Sequence, residues 1–173
     1  MSSKQDAPLL VLGLGNPLRG DDGLGIRAIE MLAKRELPPE VTVADGGTPG
    51  WGLVSTLQDW SRVILVDAAQ FGGVPGSWRC IHLDDLSLGD QQAFVSLHAA
   101  GVLEALSLAQ ALGTLPQEIT LYCVEPERLE NGAGFSPAVE AVLPEFVNQI
   151  YQDIIQQENG RDKNEPKENP PHR

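Results

Sequence analysis

The apolar run Leu9–Leu14 constrains the fold more than any other part of this sequence. Its side chains are apolar without alternation, which is typical of a strand covered on both faces in a parallel sheet. A glycine-rich turn follows, and then Leu24, Ala28 and Leu32 recur at helical spacing until the pattern ends before Pro38. We therefore predict a strand, a turn and a helix as the first unit of an α/β protein.

The rest of the chain continues this alternation of strands and helices. Further strands are predicted at Val41–Ala44, Val63–Val66, Trp78–Leu83 and Ile119–Val124. Helices are predicted at Trp51–Leu57, at His98–Leu112, and after Ser136, which is suited to cap the last helix. The expected fold is a three-layer α/β/α sandwich with a mostly parallel, twisted sheet of about five strands, and its sites should lie beyond the carboxyl ends of those strands.

A chain of 173 residues with 42% hydrophobic content is sufficient for one compact core. We expect a single α/β domain over residues 9–157 and a flexible amino terminus over residues 1–8. Residues 158–173 are rich in charge and proline and contain no large apolar side chain. We predict that they form a disordered tail.

The charge of the chain argues against several classes of partner. The formal net charge is −12 with no run of Lys or Arg, so nucleic acid and anionic membranes are not expected to bind. Without a recognisable leader or an apolar stretch of about 20 residues, the protein is expected to be cytoplasmic, and we expect a monomer. Cys80 and Cys123 form no Cys-x-x-Cys pair and are predicted to be buried, reduced thiols.

The turn after the first strand carries Gly13, Gly15, Asp21 and Asp22. Its start imitates a dinucleotide-binding loop, but Leu18 occupies the place of the third glycine, and two carboxylates would face a pyrophosphate. A carboxylate at a helix start often caps the helix, and one aspartate is enough for that. We assign Asp21 to capping and Asp22 to chemistry.

Two further residues complete a candidate metal site. Asp67 follows the predicted strand Val63–Val66, and His98 stands at the start of a predicted helix. Taken singly, Asp67 is as often paired with an N–H group or an arginine, and His98 is more often a structural histidine. Together with Asp22 they supply oxygen and nitrogen ligands for a divalent transition metal and leave coordination positions open. The spacing does not distinguish nickel from zinc.

Four ordered motifs resemble those of hydrogenase maturation proteases. They are the glycine and aspartate segment Gly13–Gly25, the loop Asp45–Gly50, the strand end Asp67-Ala68, and Ser96-Leu97-His98. Later pieces fit as well, namely Val124-Glu125-Pro126 and Gly134-Phe135-Ser136-Pro137.

The resemblance implies a five-stranded sandwich of the phosphorylase/hydrolase-like kind that binds nickel through Asp22, Asp67 and His98. At position 22, this chain has an aspartate where members of the family have glutamate or aspartate. The implied enzyme is an endopeptidase, often classed as aspartic-type, that removes a carboxyl-terminal extension from a nickel-iron hydrogenase large subunit after nickel insertion. The expected partner is the nickel-loaded precursor, and we expect the nickel ion to arrive with that substrate.

Asp45 is a further candidate, because its loop in this family bears on substrate choice and cleavage; its alternative is a turn aspartate ahead of two glycines. Two rival functions are kept open. One is a nickel-sensing factor that docks without cutting. The other is a peptidyl-tRNA hydrolase, whose catalytic histidine should follow the first loop, whereas no histidine precedes His82 here.

Overall fold

The structure of this protein is a computed structural model that describes residues 7–48, 50–83 and 101–162. In that part of the chain the strands are β1 Leu9–Gly13, β2 Val41–Asp45, β3 Arg62–Ala68, β4 Trp78–His82 and β5 Glu118–Val124. The helices are α1 Leu24–Leu32, α2 Trp51–Leu57, α3 Val102–Ala111 and α4 Pro137–Asp162, and a 3₁₀ turn, Gly20–Gly23, precedes α1. Every predicted strand is confirmed. The first residues of the helix predicted from His98 lie outside the described residues.

The five strands form one sheet in the order β2-β1-β3-β5-β4. All neighbouring pairs are parallel except β4 and β5, which are antiparallel. Every residue of β1 and β3 is buried, whereas the edge strands β2 and β4 are partly exposed. The continuous apolar run of β1 therefore belongs to a central strand, as predicted.

Helices cover both faces of the sheet and make it the middle of three layers. On one face, α2 and α3 pack on side chains such as Leu10, Leu12 and Leu65. On the other face, α1 and α4 pack on Val11, Ile64 and their neighbours. The last helix turns a stripe of buried apolar side chains to this face: Val139, Leu143, Phe146, Val147, Ile150 and Ile154.

The predicted boundary of the disordered tail at residue 158 is wrong, because α4 continues to Asp162. Glu158 is only 6% exposed, and its Oε1 accepts a hydrogen bond of 2.6 Å from Nη2 of Arg62, which is 3% exposed. The two residues are 96 positions apart, so composition could not reveal their pairing. The predictions for residues 1–6 and 163–173 fall outside the described residues.

The cysteine prediction is half correct. Cys123 is buried in β5, but Cys80 is exposed because β4 is an edge strand. Across the described ranges, no helix combines the length and the apolar character that crossing a bilayer requires.

Candidate active site

The predicted site residues that the structure describes lie around the carboxyl end of β1. Gly13, the last residue of β1, is in register with Asp45 of β2 on one side and with Val66 of β3 on the other. Asp67 is the next residue of β3, and the loop that leaves β1 carries Asp22. The parallel sheet thus places all three aspartates at one edge, as predicted for this fold class.

Asp67 is the most deeply buried of these aspartates, at 1% exposure. Its Oδ1 accepts a hydrogen bond of 2.8 Å from the N–H of Ala68. Its Oδ2 is buried and has no hydrogen-bond partner among the described residues. A buried carboxylate oxygen without a donor is costly to keep charged, so the site is suited to a proton or a cation.

The pKa of Asp67 reflects this environment. Burial, together with the negative charge of Asp22, raises the pKa to about 8, although the hydrogen bond from Ala68 acts to lower it. Near neutral pH, Asp67 of the free protein therefore holds a proton that a bound cation would displace.

Asp22 is partly exposed, and its Oδ2 accepts a hydrogen bond of 3.1 Å from the N–H of Asn16. Gly15, with φ of 124°, lies close to the backbone of Asp22 and to the carboxylate of Asp67. A β-carbon at Gly15 would collide with the carbonyl oxygen of Asp22 and would lie 3.8 Å from Oδ1 of Asp67. The second glycine of the first motif therefore allows Asp22 and Asp67 to approach each other.

Asp45 is exposed at the end of β2, and its Oδ1 accepts a hydrogen bond of 2.8 Å from the N–H of Gly47. Gly47 in turn accepts a hydrogen bond from Gly15, and Gly46 donates one to Gly13. Asp45 thus forms the predicted turn, and that turn is fastened to the loop that carries Asp22. The turn contact leaves open a second role for Asp45 at the same edge.

The assignment of Asp21 to the cap of its own helix is wrong. Neither the 3₁₀ turn nor α1 has a side-chain cap hydrogen bond. The Asp21 side chain instead points to the segment 127–136, where Glu127, Arg128 and Ser136 donate to it. Burial acts to raise the pKa of Asp21, but these hydrogen bonds outweigh it and hold the pKa below its ordinary value.

Glu125 is a residue to which sequence reasoning gave no role. It is buried, and its Oε2 accepts hydrogen bonds from the N–H groups of Phe71 at 2.7 Å and Gly73 at 3.1 Å. It therefore fixes the segment that leaves β3 just after Asp67. The signal for it was an acidic residue at the end of a buried strand, in Val124-Glu125-Pro126.

His98 lies outside the described residues, so the structure brings together only the two carboxylates of the predicted metal site. Within residues 7–48, 50–83 and 101–162, no group of three or more His, Cys, Asp or Glu residues is arranged to hold a metal ion. The partnerless oxygen of Asp67 beside Asp22 nevertheless fits one side of a cation site.

Comparisons with known proteins point to one family. A family model described as hydrogenase maturation protease matches residues 26–153. The hydrogenase expression/formation protein HupD of Bradyrhizobium diazoefficiens is 38% identical over 134 residues, which cover 77% of this chain and 70% of HupD. The hydrogenase 2 maturation protease of Escherichia coli is 32% identical over 144 residues, which cover 82% of this chain and 87% of that protein.

Solved structures agree with these sequence relatives. The hydrogenase maturating endopeptidase HybD from E. coli superposes with a TM-score of 0.71 at 29% sequence identity. The superposition covers 86% of this chain and 93% of HybD. The similarity therefore extends over nearly the whole of both folds.

Proposed function

Because this chain belongs to the hydrogenase maturation protease family, we propose that it is an endopeptidase that cuts the carboxyl-terminal extension from a nickel-iron hydrogenase large-subunit precursor after nickel insertion. The partner is then the nickel-loaded precursor, and cleavage completes maturation of the hydrogenase. The observation that supports this proposal best is the buried oxygen of Asp67, which has no partner among the described residues and lies beside a second carboxylate.

In this proposal the nickel ion is part of the substrate. Asp22, Asp67 and His98 of this chain complete the coordination of an ion that the precursor already holds. Oxygen and imidazole ligands suit nickel, but without a thiolate they make a modest site that does not need to retain the ion alone. Recognition of the substrate then depends on both proteins.

The proposed chemistry is hydrolysis of a peptide bond near that ion. A divalent cation polarises a carbonyl or lowers the pKa of a bound water, and an aspartate serves as general base. Asp45 is the further candidate for this role, since it is exposed at the same edge as Asp67. A nearby pair of carboxylates is also why we propose an aspartic-type enzyme.

The reaction product distinguishes two alternative functions from the proposed endopeptidase. A docking factor that senses nickel without cutting would bind the nickel-loaded precursor and leave its mass unchanged. A peptidyl-tRNA hydrolase would release tRNA from a peptidyl ester and ignore the precursor. The net charge of −12 disfavours the second alternative.

The deciding experiment incubates the protein with nickel-loaded large-subunit precursor and measures the intact mass of the precursor over time. We expect the loss of one carboxyl-terminal peptide. The Asp67→Asn variant is the matched control, because it preserves the shape of the buried side chain but cannot supply a carboxylate to the ion. An unchanged mass, with a stable complex of the two proteins, would identify a docking factor instead.

A further inference from the structure

We propose that Asp21 is a positioning residue, which locks the loop carrying Asp22 onto the segment 127–136 and so fixes the Asp22 carboxylate at the sheet edge. This inference rests on the proposed function for its catalytic consequence only. Its structural part concerns the free protein. The observation that supports it is that the fully buried carboxylate of Asp21 is next in sequence to the partly exposed carboxylate of Asp22.

The side chain of Asp21 is 0% exposed and accepts four hydrogen bonds. Its Oδ1 receives the N–H of Ser136 at 2.7 Å. Its Oδ2 receives the N–H of Glu127 at 2.8 Å, the N–H of Arg128 at 3.0 Å and the hydroxyl of Ser136 at 2.8 Å. A charged acceptor with this many donors forms strong, directional contacts.

The backbone around Asp21 is fastened to the same segment. The N–H of Asp21 donates to the carbonyl of Arg128 at 3.1 Å, and the N–H of Gly20 donates to the carbonyl of Gly132 at 2.9 Å. The N–H of Gly132 returns a bond of 3.0 Å to the carbonyl of Leu18. The turn that contains Asp22 is therefore held to this segment by backbone hydrogen bonds as well as by the Asp21 side chain.

The segment 127–136 is itself anchored to the core. It begins just after β5 and ends at α4, where Ser136 accepts hydrogen bonds from Val139 and Glu140. The path of contacts thus runs from the core helix α4 through Ser136 to Asp21, and then along one peptide unit to Asp22. Among the described residues, the Asp22 side chain has one hydrogen bond, from the N–H of Asn16, so its position depends on the turn.

The hydrogen bond from Asn16 provides a direct reporter. The amide proton of Asn16 points at Oδ2 of Asp22, and its chemical shift depends on that distance and on the carboxylate charge. An Asp22→Asn variant defines the shift without the carboxylate. The test records this resonance in the free protein, without metal and without precursor, for the wild type and for Asp21→Asn.

The Asp21→Asn variant replaces one acceptor oxygen by an NH₂ group. That group faces a backbone N–H donor, so at least one hydrogen bond to the segment 127–136 is lost. We expect the Asn16 amide resonance to move toward its Asp22→Asn position. Ser136→Ala removes one bond of the four and should move it less in the same direction. If Asp21→Asn does not fold, Ser136→Ala alone tests the inference.

The control is Glu158→Gln, which weakens the buried ion pair with Arg62 at the amino-terminal end of β3. It lowers stability far from the loop and should leave the Asn16 resonance at its wild-type position. In processing assays, Asp21→Asn should lower kcat roughly 10- to 100-fold with KM nearly unchanged, because small displacements of a reacting group have effects of this size. Glu158→Gln should process at the wild-type rate.

An Asn16 resonance that stays at its wild-type position in both Asp21→Asn and Ser136→Ala would overturn the inference, as would full processing by Asp21→Asn. If the wild type cuts no precursor while the resonance moves as expected, the proposed function fails and the positioning of Asp22 by Asp21 stands.

Discussion

Asp21 and Asp67 are both buried carboxylates near one edge of the sheet, yet their surroundings act in opposite directions. Asp21 accepts four hydrogen bonds, which hold its pKa below the ordinary value. Asp67 accepts one, and burial raises its pKa to about 8. Asp21 therefore stabilises the folded protein above the ordinary carboxyl pKa, whereas Asp67 costs stability when it ionises.

We predict that Asp67→Asn makes the free protein more stable, by an amount that grows from pH 5 to pH 8. Between these values the folded protein binds a proton at Asp67 that the unfolded chain has lost, so wild-type stability falls as pH rises. The asparagine variant lacks this dependence. Thermal unfolding of both proteins at four pH values in that range measures the difference.

All other titrating groups are shared by the two proteins and cancel in the comparison. A variant that is less stable than the wild type at pH 8 would show that Oδ2 of Asp67 is well partnered, contrary to the structure.

We predict that Asp22→Ala, Asp67→Ala and His98→Ala each abolish processing of the precursor while the protein stays folded. These side chains serve the site, so their loss removes little apolar packing. A double substitution should cost little beyond a single one, because residues that act as a unit are not additive. Intact mass of the precursor and circular dichroism of the variants are the measurements. Full activity in any single variant would remove that residue from the proposed site.

At the scale of elements, the long helix α4 runs along the sheet, and its two ends make contacts near opposite ends of the strands. Ser136, which directly precedes its first turn, donates hydrogen bonds to Asp21 at the carboxyl edge of the sheet. Its last turns carry Glu158, which binds Arg62, and Arg161, which binds Glu118 at 2.8 Å. The charged end of this helix is therefore part of the folded domain.

We predict that removing residues 163–173 changes the free energy of unfolding by less than about 1 kcal/mol, since that stretch has no large apolar side chain to bury. Removing residues 158–173 should cost roughly 3 kcal/mol, because Arg62 then stays buried without its main partner. Urea unfolding of the two truncated proteins measures both values. Equal stability of the two would show that the ion pair with Glu158 contributes nothing.

At the scale of the whole molecule, the described part of the chain offers two carboxylates at the site and no complete metal group. A substrate that brings its own nickel ion would supply the rest. Cleavage would then follow metal insertion, because the empty precursor lacks the group that binds it to the site.

We accordingly predict that the purified protein binds nickel weakly and does not cut a nickel-free precursor. Calorimetry on the isolated protein measures the affinity, and intact mass measures cleavage of precursors prepared with and without nickel. Submicromolar binding by the free protein, or efficient cutting of the nickel-free precursor, would indicate a hydrolase with a resident metal.

The sequence by itself determined the order of the strands and helices along the chain, the central place of β1, and the sheet edge at which Asp22 and Asp67 lie. These follow from local periodicity and from the rule that parallel strands end at one edge. The family was also evident from four ordered motifs. The place of His98 in the site remains a prediction from those motifs.

Only the tertiary structure decided the rest, because it depends on contacts between residues far apart in sequence. Asp21 looked like a local cap, but its donors lie 106 to 115 residues away. Glu158 looked like part of a polar tail, but its partner Arg62 lies 96 residues away. The edge position of β4, which exposes Cys80, likewise comes from its place beside β5 at the end of the sheet. A polar side chain looks the same in the sequence whether it contacts water or a distant hydrogen-bond donor. Only the folded chain distinguishes the two cases.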